Sequence, residues 1–214
     1  QSSKARLGFH TEMFFHPAPP DFLFLHCLRP DPAGQAETGV ASLEDITSRL
    51  SVGDIRTLRQ AKFALDLSRL HGSYVLAGRA ITDQDPRPVI PVIGDSTDNG
   101  RFRFEPELTT PVTDIAATSM HNADAAAEES IATGRLLAGS MLLLDNRRAV
   151  HSRSPFVANF DGNDRWLRRM MVGRRGSGGP SDYIVRHDLD LSRAWSAKGA
   201  SVRSVAYRTA ERSA

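Results

Sequence analysis

The stretch RLGFHTE (Arg6–Glu12), followed after the proline-rich turn His16–Pro20 by FLFLHCLR (Phe22–Arg29), decides how this chain reads. Both segments have strand-type composition and are bounded by turn residues, so each is expected to be a strand. The second is apolar on both faces, as in a strand buried centrally in a sheet. Further short strands are expected at Lys62–Asp66, Pro88–Ile93, Phe102–Glu105, Met141–Asp145, Arg148–Ser152, Phe156–Phe160 and Trp166–Val172. Helices are fewer. Ser42 offers an N-cap to a short amphipathic helix with Leu43, Ile46 and Leu50 on one side, a second helix covers Asp54–Gln60, and a third covers Ala123–Ala132. Asp31–Thr38 reads as a loop. Many short strands with a few helices predict a mainly β fold, a jelly-roll (double-stranded β-helix) core decorated by peripheral helices. Ser68–Pro86 lacks firm periodicity and contains Gly72 and Gly78, which makes it a candidate lid. The Gly/Arg-rich Gly173–Ser181 connection and the tail after Trp195 read as peripheral.

The 214 residues, 40% hydrophobic and 24% charged, suffice for one domain with a real core. The formal charge of +2 is small, and there is no Lys/Arg run with interleaved aromatics, so nucleic acid is not an expected partner. Cys27 is the only cysteine, which excludes an intrachain disulfide and a thiolate metal cluster and fits a reducing cytoplasm. No apolar run approaches the ~18 residues of a membrane span, and the start has no signal-peptide pattern. The chain opens at Gln1, just before its richest motif, so an N-terminal portion is expected to lie on a piece outside this sequence.

In a strand, residues i and i+2 share a face, so His10 and Glu12 can bind one ion together. Two imidazoles and one carboxylate make the facial triad of non-haem Fe(II) oxygenases, with positions left open for a 2-oxo acid and O2. Among the chain's seven histidines, His151 is the best second imidazole: it lies on an expected strand after the turn at Asp145-Asn146, where a jelly-roll can bring it against the first strand. His26 reads as a packed core residue, and His16, His71, His121 and His187 as loop or end residues. An HxE triplet alone also suits zinc, which accepts two histidines and a glutamate and would need no 2-oxo acid.

The segment LLLDNRRAVHSRSPF (Leu142–Phe156) and the following DGNDRW (Asp161–Trp166), together with GFHTE and FLFLHCLRPDP, resemble the clavaminate synthase-like family of Fe(II)/2-oxoglutarate oxygenases. That family includes clavaminate synthase, asparagine oxygenase and the arginine β-hydroxylases of antibiotic biosynthesis. The resemblance runs from about Gly8 to Val172 and implies a cytoplasmic oxidoreductase with His10, Glu12 and His151 as iron ligands. It further implies that Arg165 grips the distal carboxylate of 2-oxoglutarate, assisted by the Thr38 hydroxyl. A guanidinium suits that task, because it gives a carboxylate two charge-assisted hydrogen bonds that lysine cannot copy. Ser152 departs from the pattern, standing where a glycine is expected after the histidine.

By the same resemblance, Arg169 reads the α-carboxylate of an amino acid substrate, with Arg168 facing the opposite way. Glu105 and Glu107 lie where relatives hold the substrate's side chain, and two carboxylates favour a cationic group. The implied reaction couples oxidative decarboxylation of 2-oxoglutarate to hydroxylation of a free amino acid, arginine or another basic one, in secondary metabolism. An asparagine hydroxylase and a clavaminate-like oxidative cyclase are the alternatives within that chemistry. A catalytically silent metabolite-binding jelly-roll is the alternative outside it.

Overall fold

A computed structural model describes residues 3–16, 19–66, 75–76, 79–80, 87–95, 100–173 and 202–203. Strand β1 (Leu7–His10) is followed by β2 (Phe22–Arg29) and β3 (Thr38–Ser42). Two short helices come next, α1 (Leu43–Ser48) and α2 (Val52–Leu58), each started by a serine, Ser42 or Ser51, whose side chain accepts an amide three residues on. The chain continues with β4 (Phe63–Leu65), the ribbon β5 (Val75–Leu76) with β6 (Arg79–Ala80), β7 (Arg87–Ile90), a 3-10 turn at Pro106–Leu108 and β8 (Thr109–Pro111). Helix α3 (Asp114–Glu129) leads to β9 (Ala132–Gly134), β10 (Met141–Asp145), β11 (Ala149–Arg153), β12 (Trp166–Val172) and β13 (Val202–Arg203). Apart from the β5–β6 ribbon, the expected lid lies outside the described residues, as do most of the Gly/Arg connection and the tail.

Two sheets carry the jelly-roll core. One has the order β1-β11-β3-β9 and the other β10-β2-β12, while β13-β7-β4-β8 forms a third. The first sheet has two different faces. Phe9, Val150 and Ala41 point into the main core with α3 residues Ala116, Met120, Ala123 and Ala127. On its other side, Val40 packs with Leu23, Leu25 and Leu144 of the second sheet. That inner face of the second sheet also takes Leu142, Leu167 and Met171, whereas its outer face leaves Met141, Leu143 and Met170 more than half exposed.

Several expectations change. Helix α3 begins nine residues before Ala123, because Thr113 caps it by accepting the Ala116 amide and a small-residue stripe buries one face. Phe156–Phe160 forms no strand: the Asn159 and Phe160 amides donate to the Asp164 carboxylate rather than to a neighbouring strand, and Phe160 has a positive φ of 59°. Strand β3, which the sequence does not announce, starts at Thr38, where the expected loop ends; Gly39 and Ala41 weaken its strand propensity, but it finds a place between β11 and β9. His26 faces the outer side opposite Met141 and Arg168 rather than the core, and His16 is buried rather than solvent-facing.

Candidate metal centre

The register of β1 on β11 sets His10 directly opposite His151, with ring centroids 4.0 Å apart. Strand β1 stops at His10, so Glu12 lies in the turn beyond it, and donor atoms of His10, Glu12 and His151 all come within 4.8 Å of one another. The expected convergence of the three residues is therefore present, although Glu12 arrives from a turn and not by strand alternation. The His10 Nδ1 meets the Gly8 carbonyl at 3.0 Å, which orients its Nε2 as the free donor. The buried Nδ1 of His151 has no hydrogen-bond partner, as expected of a nitrogen reserved for an ion.

Electrostatics agree. Burial holds the His10 imidazole below its ordinary pKa. Burial, then the neighbouring His10 and Arg169, holds His151 well below its own. Both rings are neutral at pH 7, the form that ligates a metal. Such a donor set, two neutral imidazoles and a carboxylate that are largely buried, fits Fe(II) with open positions.

The second sheet supplies the facing side. Arg169 lies opposite the inward-pointing Leu25 on β2, and its Nη1 reaches the two oxygens of Glu12 at 3.0 and 3.2 Å. Its neighbour Arg168 is opposite His26, on the outer face, turned away from Arg169 as expected. Arg165 precedes β12; burial, then the nearby Arg153, lowers its pKa, with Cys27 and Asp31 acting the other way. The guanidinium carbons of Arg153 and Arg165 lie 5.0 and 5.7 Å from the Phe156 ring centroid. Thr38, buried, pairs in register with Arg153.

Glu105 is buried at the start of the 3-10 turn, and its pKa rises to about 8 through burial, then Glu107, Glu12 and Asp124. Glu107 is exposed but leans over β1, its Oε1 only 3.2 Å from where a Cβ on Gly8 would stand. Asp124 of α3, whose pKa burial and then Glu128 raise, is an acidic neighbour that sequence reasoning missed. It lies inside the expected helix Ala123–Ala132, but nothing local in the sequence connects that helix to Glu105. Ser152 is accommodated because it pairs with Gly39: it points away from His151, and a Cβ on Gly39 would lie 2.5 Å from its Oγ.

Residues 1–171 match the family described as Taurine catabolism dioxygenase TauD, TfdA family. The chain belongs to the TauD/TfdA family. Among its relatives, L-asparagine oxygenase of Streptomyces coelicolor is 36% identical over 166 residues, covering 78% of this chain and 47% of the relative. L-lysine 3-hydroxylase of Catenulispora acidiphila is 33% identical over 175 residues, covering 82% and 48%. The solved structure of the non-heme iron oxygenase OrfP in complex with Fe, succinate and (3S)-hydroxy-L-Arg superposes with a TM-score of 0.65 at 30% identity, covering 79% of this chain and 53% of OrfP. This TauD/TfdA chain thus spans about half the length of the curated relatives it matches. Among the described residues, no helix is long and apolar enough to cross a membrane.

Proposed function

We propose that this chain carries the catalytic core of an Fe(II)/2-oxoglutarate-dependent hydroxylase of a free amino acid, arginine or another basic one. The observation that carries the reading is the pairing of the triad with an acidic wall, Glu105 beside Glu12 and Glu107. In this reading His10, Glu12 and His151 hold Fe(II), and Arg165 with Thr38 takes the distal carboxylate of 2-oxoglutarate. When bound, iron, 2-oxoglutarate and O2 supply the oxidising chemistry, with succinate and CO2 as by-products. Arg169 receives the substrate α-carboxylate, exchanging its contact with Glu12 for the ligand's. Glu105, aided by Glu107, receives the cationic side chain at the other end, so two charges fix which carbon faces the iron.

A cation beside Glu105 favours its ionised form, so a basic amino acid binding at pH 7 releases a proton from it. The same protonated carboxyl favours a second reading, because it can donate its O–H to the carbonyl of a side-chain amide. An asparagine-like substrate would then bind without proton release, consistent with the L-asparagine oxygenase among the relatives.

A mass-spectrometric screen of free amino acids with iron, ascorbate and 2-oxoglutarate tests the function: one added oxygen on a basic amino acid, with matching succinate, is expected. Calorimetry of substrate binding without O2, in buffers of different ionisation enthalpy, separates the two readings. A product formed only from asparagine, with no proton release, would replace the first reading by the second. Succinate formed equally in the absence of oxygen would defeat both.

A further inference from the structure

We propose that Asn146 is a positioning residue of the metal centre, holding the Glu12 peptide so that its carboxylate meets the two histidines. The inference rests on reading His10, Glu12 and His151 as the metal site, and concerns how a ligand outside any strand keeps its place. Because β1 ends at His10, no ladder hydrogen bond fixes the backbone at Glu12. Two other contacts do so. Thr11 is tied to Phe104, donating its amide to the Phe104 carbonyl at 2.8 Å and accepting the Phe104 amide on its hydroxyl at 3.1 Å. Glu12 is tied to Asn146, whose Oδ1 accepts the Glu12 amide at 2.7 Å and whose Nδ2 donates to the Glu12 carbonyl at 3.0 Å.

The carboxamide is fully committed. Its second N–H donates to the Pro20 carbonyl at 2.9 Å, its own backbone amide donates to the Asp21 carbonyl at 2.9 Å, and the residue is only 2% exposed. A side chain that must accept one N–H and donate to two carbonyls has to be an amide: aspartate lacks the donors and leucine lacks both. The Glu12 amide is an obligate donor, which settles the orientation of the carboxamide. Asn146 also sits in the turn joining β10 to β11, closed by the Arg148 amide on the Asp145 carbonyl at 3.0 Å. Five residues later on that hairpin comes His151. The placement of Glu12 is therefore referenced to the element that carries the facing histidine, although the two segments are 134 residues apart in sequence.

Cobalt(II) provides the test, because its visible absorption reports coordination directly and needs no turnover. In anaerobic titrations of the chain, Asn146→Ala is expected to lower Co(II) affinity about 10- to 100-fold, as loss of a ligand's outer support does, and to change the d–d spectrum. Leu58→Ala, a truncation in the main core away from the site, serves as the control for plain destabilisation; its folded fraction should keep the parent affinity and spectrum. Asn146→Asp, held protonated at this buried site, keeps the acceptor for the Glu12 amide and one of the two donations, so it should fold and shift the spectrum even where the alanine variant does not fold. Parent-like affinity and spectrum in Asn146→Ala, or a parent-like spectrum in Asn146→Asp if the alanine variant is unfolded, would overturn the proposal while leaving the metal site intact. Failure of the parent chain to bind Co(II), or binding unaffected by His151→Ala, would overturn the metal-site reading and this proposal with it.

Discussion

At Glu105, burial and the carboxylates of Glu107, Glu12 and Asp124 all act in one direction, lifting the pKa from 4.5 to about 8. Between those two values the folded chain keeps a proton that the unfolded chain releases, so this group lowers stability as pH rises from 4.5 toward 8, by at most about 1.4 kcal/mol per pH unit. Glu105→Gln removes that penalty. The metal-free variant should resist urea better than its parent at pH 8, with the advantage vanishing near pH 4.5; equal stability at pH 8 would show the carboxyl ionised in the free chain. Arg165 makes the opposite kind of prediction, about a group that stays charged. Arg165→Lys retains the charge but not the two-pronged fork, so anaerobic titration should show 2-oxoglutarate binding weakened by about tenfold or more and amino acid binding little changed. Equal loss for both ligands would reduce Arg165 to a structural part.

Among the elements, the β11–β3 pair shows how an irregular residue is absorbed. Ser152 fits next to His151 because Gly39 opposite has no side chain; a Cβ there would stand 2.4 Å from Ile131 Cδ1 and 2.5 Å from Ser152 Oγ. Gly39→Ala should therefore destabilise the chain by about 1–3 kcal/mol, the usual range for overpacking. Adding Ser152→Gly removes one of the two clashes and should recover part of the loss, a non-additivity that a double-mutant cycle measures. Strictly additive effects would mean that the two residues do not crowd each other. Legibility at this scale was uneven. Strand β2, helix α1 and the start of β12 could be read from pattern and caps alone. Strand β3 could not, because its five residues acquire strand geometry only from the partners on either side.

For the molecule as a whole, the candidate metal centre lies between the two core sheets, with His10 and His151 from one and Arg169 from the other. Both histidines are held neutral by burial. Below the ordinary value of 6.5, unfolded histidines take up protons that the folded ones refuse, so this pair is a source of stability that declines as pH falls through 6.5. A bound divalent ion adds to the folded state by mass action, about 2.7 kcal/mol at a hundred times the dissociation constant. Its protection in thermal unfolding should hold as pH falls through 6.5, because the folded rings stay neutral there, and be lost only at lower pH, where protons at last compete for the ligands. Protection that already fails as pH falls through 6.5 would show that burial does not hold the rings neutral.

What the sequence determined alone was the candidate ligand set and the class of fold. Periodicity, caps and turn residues are local, and HTE, the DNRRAVH segment and Arg165 name their chemistry through residue type and spacing. Only the tertiary structure decided how those groups meet. The pairing of His10 with His151 is a register, set by contacts between segments far apart in the chain. The seat of Glu12 is a carboxamide 134 residues away, and the raised pKa of Glu105 comes first from burial, then from Glu107, Glu12 and lastly the helix carboxylate Asp124. Distances, burial and shared fields arise when the chain closes on itself, so short-range sequence signals do not carry them.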